Sequence, residues 1–332
     1  MKKYNIYGIG AALVDTEIEV DDQKLAQMGI EKGVMTLVDE NRQAELIHQL
    51  QNYLVTASHA SGGSAANTII ASSYFGSSTF YSCKVANDAN GKFYMQDLRD
   101  AGVDSNFHDK KENGVTGRCL VLVSPDAERS MNTYLGISES ISVTDLNHQA
   151  IAESEYVYIE GYLVTSATGR AAAIMTRKTA EQHQVKTALS LSDPGMVEFF
   201  KEGLIEIVGA GVDLIFCNEA EALAWAETQD IEEAVATLKL TTRTFAITLG
   251  ADGALVFDGE KVHRILGHSV DAIDTNGAGD MFAGAFLYAI TNNYSFKEAG
   301  ELASLASAKV VSQYGPRLQA EQHGDILKNI NQ

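Results

Sequence analysis

The sequence predicts an α/β fold: a central, mostly parallel sheet flanked by helices on both faces, with a small β lid. The main observation is that short apolar segments alternate with longer amphipathic ones, most regularly from Tyr156 onward. Parallel neighbouring strands need a long crossover between them, and a helix usually supplies it. The second observation is that the stretches at about 15–38 and 112–135 break this rhythm and alternate as strands do. We expect residues 1–332 to form a single domain whose lid comes from these two stretches.

The elements of the first half follow from apolar spacing and from glycines. Strands are predicted at 5–9 and 79–85, and helices at 41–52, 64–74 and 91–101. Gly76 and Gly102 follow the last two of these helices. Glycine is typical of a helix end because it adopts the left-handed conformation without strain.

The second half repeats one unit, a buried strand followed by a helix. Predicted strands lie at 156–159, 187–191, 214–217 and 245–248, and predicted helices at 171–182, 219–226 and 231–238. A tight turn at 248–253 leads to a further strand at 254–257. This alternation is what a parallel sheet covered on both faces requires.

Composition limits the classes of function. The chain carries a formal net charge of −19, whereas nucleic-acid binding depends on Lys and Arg that neutralise phosphates, so we expect no nucleic-acid partner. The three cysteines are widely spaced, and neither Cys-x-x-Cys nor His-Glu-x-x-His occurs, so no zinc site is indicated. No apolar run approaches the ~20 residues that cross a bilayer. We therefore expect a cytoplasmic protein without a membrane partner.

The strongest chemical signal is the segment Asp274-Thr275-Asn276-Gly277-Ala278-Gly279-Asp280, which runs straight into a long apolar helix. The first turn of a helix has unpartnered N–H groups and the positive end of the helix dipole. Gly277, Ala278 and Gly279 leave that backbone open to an anion. Asp280 would repel a phosphate, but it suits a base that takes the proton of an attacking hydroxyl group. The alternative is an ordinary helix start with Asp280 as a cap.

This segment resembles the C-terminal signature of the ribokinase superfamily, also called the pfkB carbohydrate kinase family, at all six defined positions. A second family signature, a Gly-Gly pair followed by Asn, is matched by Gly62-Gly63-Ser64-Ala65-Ala66-Asn67-Thr68, about 200 residues earlier. Ser61 stands where members often have Pro. The resemblance implies a ribokinase-like fold and an ATP-dependent kinase, and residues 129–136 are more similar to adenosine-kinase-like members than to ribokinase or fructokinase.

The resemblance also implies roles around the acceptor. The catalytic group would be Asp280 as base, with Gly277, Ala278 and Gly279 as the anion hole. The sugar-binding group would be Asp15, Gly62, Gly63 and Asn67. A carboxylate can accept from both hydroxyl groups of a diol, and an amide can donate and accept. The alternatives are an exposed loop aspartate at 15 and a plain helix start at 62–67.

On the nucleotide side, the resemblance implies ATP contacts by Asn218, Thr248, Gly250, Gly253 and Asp274. Glu221 would hold Mg²⁺ through water, as this ion keeps several waters in proteins. A monovalent cation such as K⁺ is a further candidate cofactor, and Arg129, at a predicted hairpin turn of the lid, would reach the transferring phosphate. The alternatives are a capping box at 218–221, a structural turn at 248–253 and a solvated arginine at 129.

Two other nucleotide-binding motifs are absent. Gly8-Ile9-Gly10 follows the first strand, but Leu13 stands where a dinucleotide fingerprint has its third glycine. The chain also lacks the Gly-x-x-x-x-Gly-Lys-Ser/Thr pattern of a P-loop. Neither a dehydrogenase nor a P-loop kinase is therefore predicted.

Three functions remain open at this stage. The first is phosphorylation of a nucleoside, with adenosine converted to AMP at its ribose 5′-hydroxyl as the leading choice. The second is phosphorylation of a free sugar, as by ribokinase or fructokinase. The third is a non-catalytic nucleoside or sugar sensor, which the intact Asp280 disfavours. In each, the partner is a small molecule, and both a monomer and a homodimer are compatible with the sequence.

Overall fold

The computed structural model describes residues 2–53, 58–106, 112–126 and 128–330. In chain order the strands are β1 Tyr4–Ile9, β2 Leu13–Glu19, β3 Met35–Leu37, β4 Ser58–Gly62, β5 Thr79–Ser82, β6 Val103–Ser105, β7 Gly117–Val123, β8 Arg129–Tyr134, β9 Ser154–Glu160, β10 Lys186–Ser190, β11 Val212–Asn218, β12 Thr242–Thr248, β13 Ala254–Phe257 and β14 Val262–Ile265. The α-helices are α1 Asp22–Gln27, α2 Glu40–Gln49, α3 Ser64–Phe75, α4 Ala89–Asp100, α5 His148–Ala152, α6 Ala167–Gln182, α7 Pro194–Val208, α8 Glu219–Ala226, α9 Ile231–Thr241, α10 Ala278–Thr291, α11 Phe296–Val311 and α12 Ala320–Ile330.

The main sheet has nine strands in the order β14-β13-β12-β11-β10-β9-β1-β5-β6 within the described ranges. Every neighbouring pair from β12 to β6 is parallel, whereas the β12–β13 and β13–β14 pairs are antiparallel. The predicted mostly parallel sheet is thus confirmed. Since β1 lies between β9 and β5, the chain builds the sheet outward from β1 in both directions. Open α/β sheets bind ligands at the carboxyl ends of strands beside such a switch point.

Both faces of the main sheet are covered by helices, as predicted. Successive side chains of a strand point to opposite faces. Accordingly, Tyr156 and Tyr158 of β9 belong to the core that contains α3, α10 and α11. Val157 and Ile159, the alternate residues, belong to the core that contains α6, α7, α8 and α9.

A second sheet of five strands has the order β3-β8-β7-β2-β4 in the described part of the chain. On one face, Leu120 and Leu122 of β7 pack with side chains of α1 and α2. On the other face, Cys119 and Met131 border the large cleft of the molecule. Four of the strands come from the two stretches with strand-like alternation, whereas β4 was not predicted. That this sheet acts as a lid on a single domain stays a prediction.

Several boundaries differ from the predicted ones. β5 ends at Ser82 rather than at residue 85, because its neighbour β1 ends at Ile9, the residue paired with Ser82. Helix α7 was not predicted, although Asp193 caps it by accepting from the N–H of Gly195 and Pro194 occupies its first turn. Across the described ranges, no helix combines the length and the apolar character that crossing a bilayer would require.

Candidate active site

A cleft of about 540 Å³ lies where the carboxyl ends of the main sheet face the second sheet. Strands β9, β11 and β12 contribute Glu160, Asn218 and Thr248 to its wall. The second sheet contributes apolar side chains, including those of Leu13 and Met131. The cleft is therefore at the switch point of the sheet, where the topology favours ligand binding.

The amino end of α10 opens into this cleft. Gly277, the residue before the helix, has a φ of +75°, which favours glycine, and a Cβ there would overlap the carbonyl oxygen of Pro316. Within the described ranges no side chain caps the helix, so N–H groups of its first turn remain for an anion. At Gly279 a Cβ would meet no atom within 4 Å. Gly277, Ala278 and Gly279 all line the cleft, as an anion hole requires.

Asp280, in the first turn of α10, is half-buried at the wall of the cleft. Its Oδ1 accepts a hydrogen bond from Ser64 Oγ at 2.7 Å, and its Oδ2 accepts one from Asn67 Nδ2 at 3.0 Å. Burial raises the pKa of Asp280 above its ordinary value, while these two hydrogen bonds and the charge of Arg129 oppose the rise. The carboxylate is thus oriented from one side and open to the cleft on the other.

Asp15, on β2, is buried against the Gly-Gly segment and lines the same cleft. Its Oδ1 is buried and has no hydrogen-bond partner among the described residues. A Cβ on Gly62 would overlap the Asp15 carboxylate, so a side chain at 62 would displace it. Burial raises the pKa of Asp15 to about 7, although the charge of Arg317 opposes the rise.

Asn67 lies one turn into α3, and the nitrogen and oxygen of its side-chain amide differ in their contacts. Its Nδ2 binds Asp280, as described, while its Oδ1 is buried and lacks a partner in the described part of the chain. Gly63 precedes α3 with a φ of +94°, and a Cβ there would overlap the carbonyl oxygen of Ala11. The predicted acceptor residues therefore lie together, and two of them present unpaired oxygen atoms.

Three of the residues predicted to contact ATP line the same cleft. Thr248 ends β12, and Gly250 and Gly253 lie in the loop that follows it. Gly253 has a φ of +91°, and a Cβ would overlap the carbonyl oxygen of Ile265, so this position needs glycine for structural reasons. Gly250 has a φ of +58°, and a Cβ there would meet no atom within 4 Å, which leaves its backbone accessible.

Asn218 and Glu221 form a capping box at the start of α8. The Asn218 Oδ1 accepts from the Glu221 N–H at 2.8 Å, and the two Glu221 oxygens accept from the Asn218 N–H and Nδ2 at 3.0 and 2.7 Å. Burial raises the pKa of Glu221 to about 7. Both residues line the cleft. Oxygen donors that remain partly free suit Mg²⁺ held through water, so this pair fits the ion chemically.

Two of the predicted residues, Asp274 and Arg129, make structural contacts that the sequence did not predict. Asp274 is fully buried behind the loop, where its carboxylate accepts from the N–H groups of Asn276 at 2.8 Å and Gly315 at 3.0 Å. The loop geometry thus depends on it directly. Arg129, on β8, donates through Nη1 to the carbonyl oxygen of Thr275 at 2.9 Å. It therefore links the second sheet to residues 274–279, the proposed anion-hole loop.

Three residues of the site were not singled out from the sequence. Ser64 and Arg317 gave no motif signal of their own. Glu160 did carry a signal, as the single acid that ends an apolar strand at the switch point. It is 1% exposed and accepts from the N–H groups of Ala11 at 3.1 Å and Ala65 at 2.8 Å, and burial raises its pKa to about 7.

Known proteins are similar to this chain over nearly its whole length. Residues 35–323 match the profile described as pfkB family carbohydrate kinase. The crystal structure of adenosine kinase from Sinorhizobium meliloti is 34% identical, with a TM-score of 0.92 over 98% of this chain and 99% of that one. A probable sugar kinase from Rhizobium etli CFN 42 is 31% identical, with a TM-score of 0.93 over 99% and 100%. Adenosine kinase of Schizophyllum commune is 25% identical over 344 residues, 96% of this chain and 98% of that protein.

Proposed function

The chain belongs to the pfkB family of carbohydrate kinases and is a phosphotransferase with an alcohol group as acceptor, and from this premise we propose that it phosphorylates adenosine at the ribose 5′-hydroxyl with ATP. The observation that carries the proposal is a grouping found among the described residues: an oriented carboxylate, Asp280, a start of α10 without a side-chain cap, and one oxygen each of Asp15 and Asn67 without a hydrogen-bond partner. Each part supports one task of the reaction.

The first task is proton removal. Asp280 faces the cleft and accepts the proton of the acceptor hydroxyl as that oxygen attacks. Ser64 and Asn67 hold its two oxygens, so the carboxylate does not need to reorient during the reaction. The N–H groups of Gly279 and its neighbours stabilise the negative charge that gathers on the transferred group.

The second task is binding the acceptor. Asp15 Oδ1 and Asn67 Oδ1 are buried without partners in the part of the chain that the structure describes. Leaving such oxygens unpaired is costly, and two hydroxyl donors of a ribose ring would satisfy them. This complementarity supports a ribose-type acceptor, either free or within a nucleoside.

The third task is holding the nucleotide. The loop of Thr248, Gly250 and Gly253 borders the cleft next to the small and apolar side chains of Ala308 and Val311, which suits a flat base. Asn218 and Glu221 would hold Mg²⁺ through water, and Arg129 would approach the phosphate from the second sheet. When bound, the ion neutralises phosphate charge during transfer.

Adenosine is favoured over a free sugar by the wall opposite the main sheet. The second sheet presents Leu13, Met35 and Met131 to the cleft, and Leu135, which directly follows β8, also lines it. A free pentose has hydroxyl groups on every side and gains little from such a surface, whereas a purine base buries apolar area against it. Because one of the similar proteins is a probable sugar kinase, the assay also includes free sugars.

The test is a coupled ADP-release assay over adenosine, inosine, guanosine, ribose and fructose. We expect turnover with adenosine to exceed that with each sugar, and AMP to accumulate. Asp280→Asn should lower kcat by about 10²–10⁴, the usual worth of a general base. Asp271→Asn, a change at an exposed aspartate nearby, serves as the matched control. Turnover of a sugar without any nucleoside would overturn the adenosine assignment, and binding without turnover would indicate a sensor.

A further inference from the structure

Residues 315–317 contact both the loop that precedes α10 and helix α4. Gly315 donates its N–H to Asp274 at 3.0 Å, and Pro316 lies so close to Gly277 that no Cβ fits between them. The next residue, Arg317, points to the acceptor side. The same three residues therefore contact the anion-hole loop and the elements that surround Asp15.

Arg317 is held by one strong partner and is largely removed from solvent. Its side chain is 13% exposed, and its Nη2 donates to Asp97 Oδ2, on α4, at 2.7 Å. Asp97 also accepts a short hydrogen bond from Ser61 Oγ of β4. Ser61 and the adjoining Gly62 pair with β2 beside Asp15. An ion pair thus joins the C-terminal segment to the strand that packs against the acceptor-binding acid.

One end of the guanidinium has no such partner. Nη1 of Arg317 is buried and makes no hydrogen bond within the described ranges. A buried N–H group without a hydrogen-bond partner is costly, although the guanidinium as a whole is paired with Asp97. The positive charge of Arg317 also acts on Asp15, where it lowers the pKa of the carboxyl group against the effect of burial.

We propose that Arg317 is a positioning residue: through its ion pair with Asp97, which binds Ser61 of β4, it holds the Asp15 carboxylate in place for the hydroxyl groups of the acceptor. This inference rests on the proposed role of Asp15 in the kinase reaction. Arg317 acts through Asp15 and through Asp97, and it does not touch the reacting atoms. Gly315 and Pro316 of the same segment contact the anion-hole loop. Residues 315–317 therefore support both the proposed anion hole and the proposed acceptor site.

Among the described residues, the groups that interact with the Asp15 carboxyl include one cation, Arg317, and two acids, Asp280 and Glu17. Asp280 of α10 raises the pKa of Asp15, and Glu17, two residues along β2, interacts with it as a like charge. The Cys119 thiol on β7 is the remaining titratable neighbour, and its own pKa is raised mainly by burial. Without Arg317, Asp15 would bind a proton at a higher pH and lose one acceptor position for a hydroxyl donor.

The first experiment needs no substrate. The carboxyl carbons of aspartate are labelled with ¹³C, the Asp15 signal is assigned with Asp15→Asn, and its titration is followed in the wild type, Arg317→Met and Arg317→Lys. We expect Arg317→Met to raise the midpoint by about one pH unit or more, the usual effect of losing a nearby opposite charge. Arg317→Lys should restore most of the shift. An unchanged midpoint in Arg317→Met would overturn the inference, whether or not the chain is a kinase.

The second experiment uses the acceptor that the wild type turns over best. In Arg317→Met, KM for that acceptor should rise about tenfold while kcat changes little, and the acid limb of kcat/KM should move to higher pH. Arg177→Met is the matched control, because Arg177 is a buried arginine on α6 that donates to the Ile207 carbonyl oxygen, on the face of the sheet that holds the other core. If both variants change KM equally and neither moves the acid limb, Arg317 is structural only, and the proposed kinase activity stands unaffected.

Discussion

Asp280 is oriented by two hydrogen bonds that come from one helix, α3. Ser64 Oγ binds one oxygen and Asn67 Nδ2 binds the other. Because both donors lower the pKa of Asp280 against the effect of burial, they set the pH at which the proposed base becomes available. Single side chains therefore decide both the geometry and the working range of the site.

Ser64→Ala removes one of these donors and should raise the pKa of Asp280. The acid limb of the kcat profile is expected to move to higher pH by about 0.5–1 unit, since a hydrogen bond contributes about 1 kcal/mol. Activity lost at low pH should return as pH rises. Ser73→Ala, on the same helix but bonded to the Ala101 carbonyl oxygen, should leave the profile unchanged. A uniform loss of rate at every pH would contradict this explanation.

Gly62 is required by its contact with Asp15. In Gly62→Ala the new methyl group would overlap the Asp15 carboxylate, so we expect KM for the acceptor to rise at least about tenfold through misplaced binding groups. The control is Gly324→Ala on α12, where a Cβ meets no atom within 4 Å, and this change should stabilise the fold by about 0.4–1 kcal/mol. Steady-state kinetics and urea unfolding separate the two effects.

At the scale of elements, the start of α10 carries both the proposed anion hole and the proposed base. The helix itself was predicted correctly from sequence because its signals are local: small residues, then Asp280, then an apolar helix. The capping box of Asn218 and Glu221 was equally local. There the sequence left a structural and an ATP-binding explanation open, and the contacts are compatible with both.

The two glycines at the start of α10 should respond differently to alanine. Gly279→Ala is expected to keep the thermal midpoint within about 2 °C of the wild type, because its Cβ would meet no atom of the described residues within 4 Å. Its methyl group would nevertheless enter the space next to the exposed N–H groups, so kcat/KM for ATP should fall about 10–100-fold.

Gly277→Ala provides the contrast, since its left-handed φ of +75° and the nearby Pro316 carbonyl oxygen should destabilise the fold itself by about 1 kcal/mol or more. Thermal unfolding measures the stability of both variants, and initial rates measure their kcat/KM for ATP. If Gly279→Ala had the same kcat/KM for ATP as the wild type, the proposed anion hole would be wrong.

At the scale of the whole molecule, the parts that sequence left unpredicted are contacts between distant segments. Glu160 binds the N–H groups of Ala11 and Ala65, about 149 and 95 residues away. Arg317 binds Asp97, 220 residues away. Local patterns predict helices and strands, but such pairs exist only after β9, α3 and α4 have taken their places in the fold. Four strands of the second sheet were predicted because their residues alternate locally. β4 carries a weak pattern, and its pairing in the described part of the chain is with β2, a distant segment.

Several buried acids lie in or near the cleft of this chain, whose net charge is −19. Burial raises the pKa of Asp15, Glu160 and Glu221 to about 7 and that of Glu17 to about 8. The folded state therefore keeps protons that the unfolded chain has already released. Stability from these groups is complete below their ordinary pKa values and is lost as pH rises toward their raised ones. We expect the free energy of unfolding to fall between about pH 4.5 and pH 8.

The variant Glu160→Gln tests this pH dependence of the free energy of unfolding at a single carboxyl group. Between the ordinary value of 4.5 and about 7, the wild type should lose up to about 1.4 kcal/mol per pH unit through this one carboxyl group. The variant has no proton to release there, so urea unfolding at several pH values should give a correspondingly smaller slope. The variant will also be less stable overall, since an amide replaces one oxygen that accepts from the backbone, but that loss does not depend on pH. Parallel pH curves for the two proteins would mean that Glu160 is ionised throughout, and that the backbone N–H groups of Ala11 and Ala65 outweigh burial.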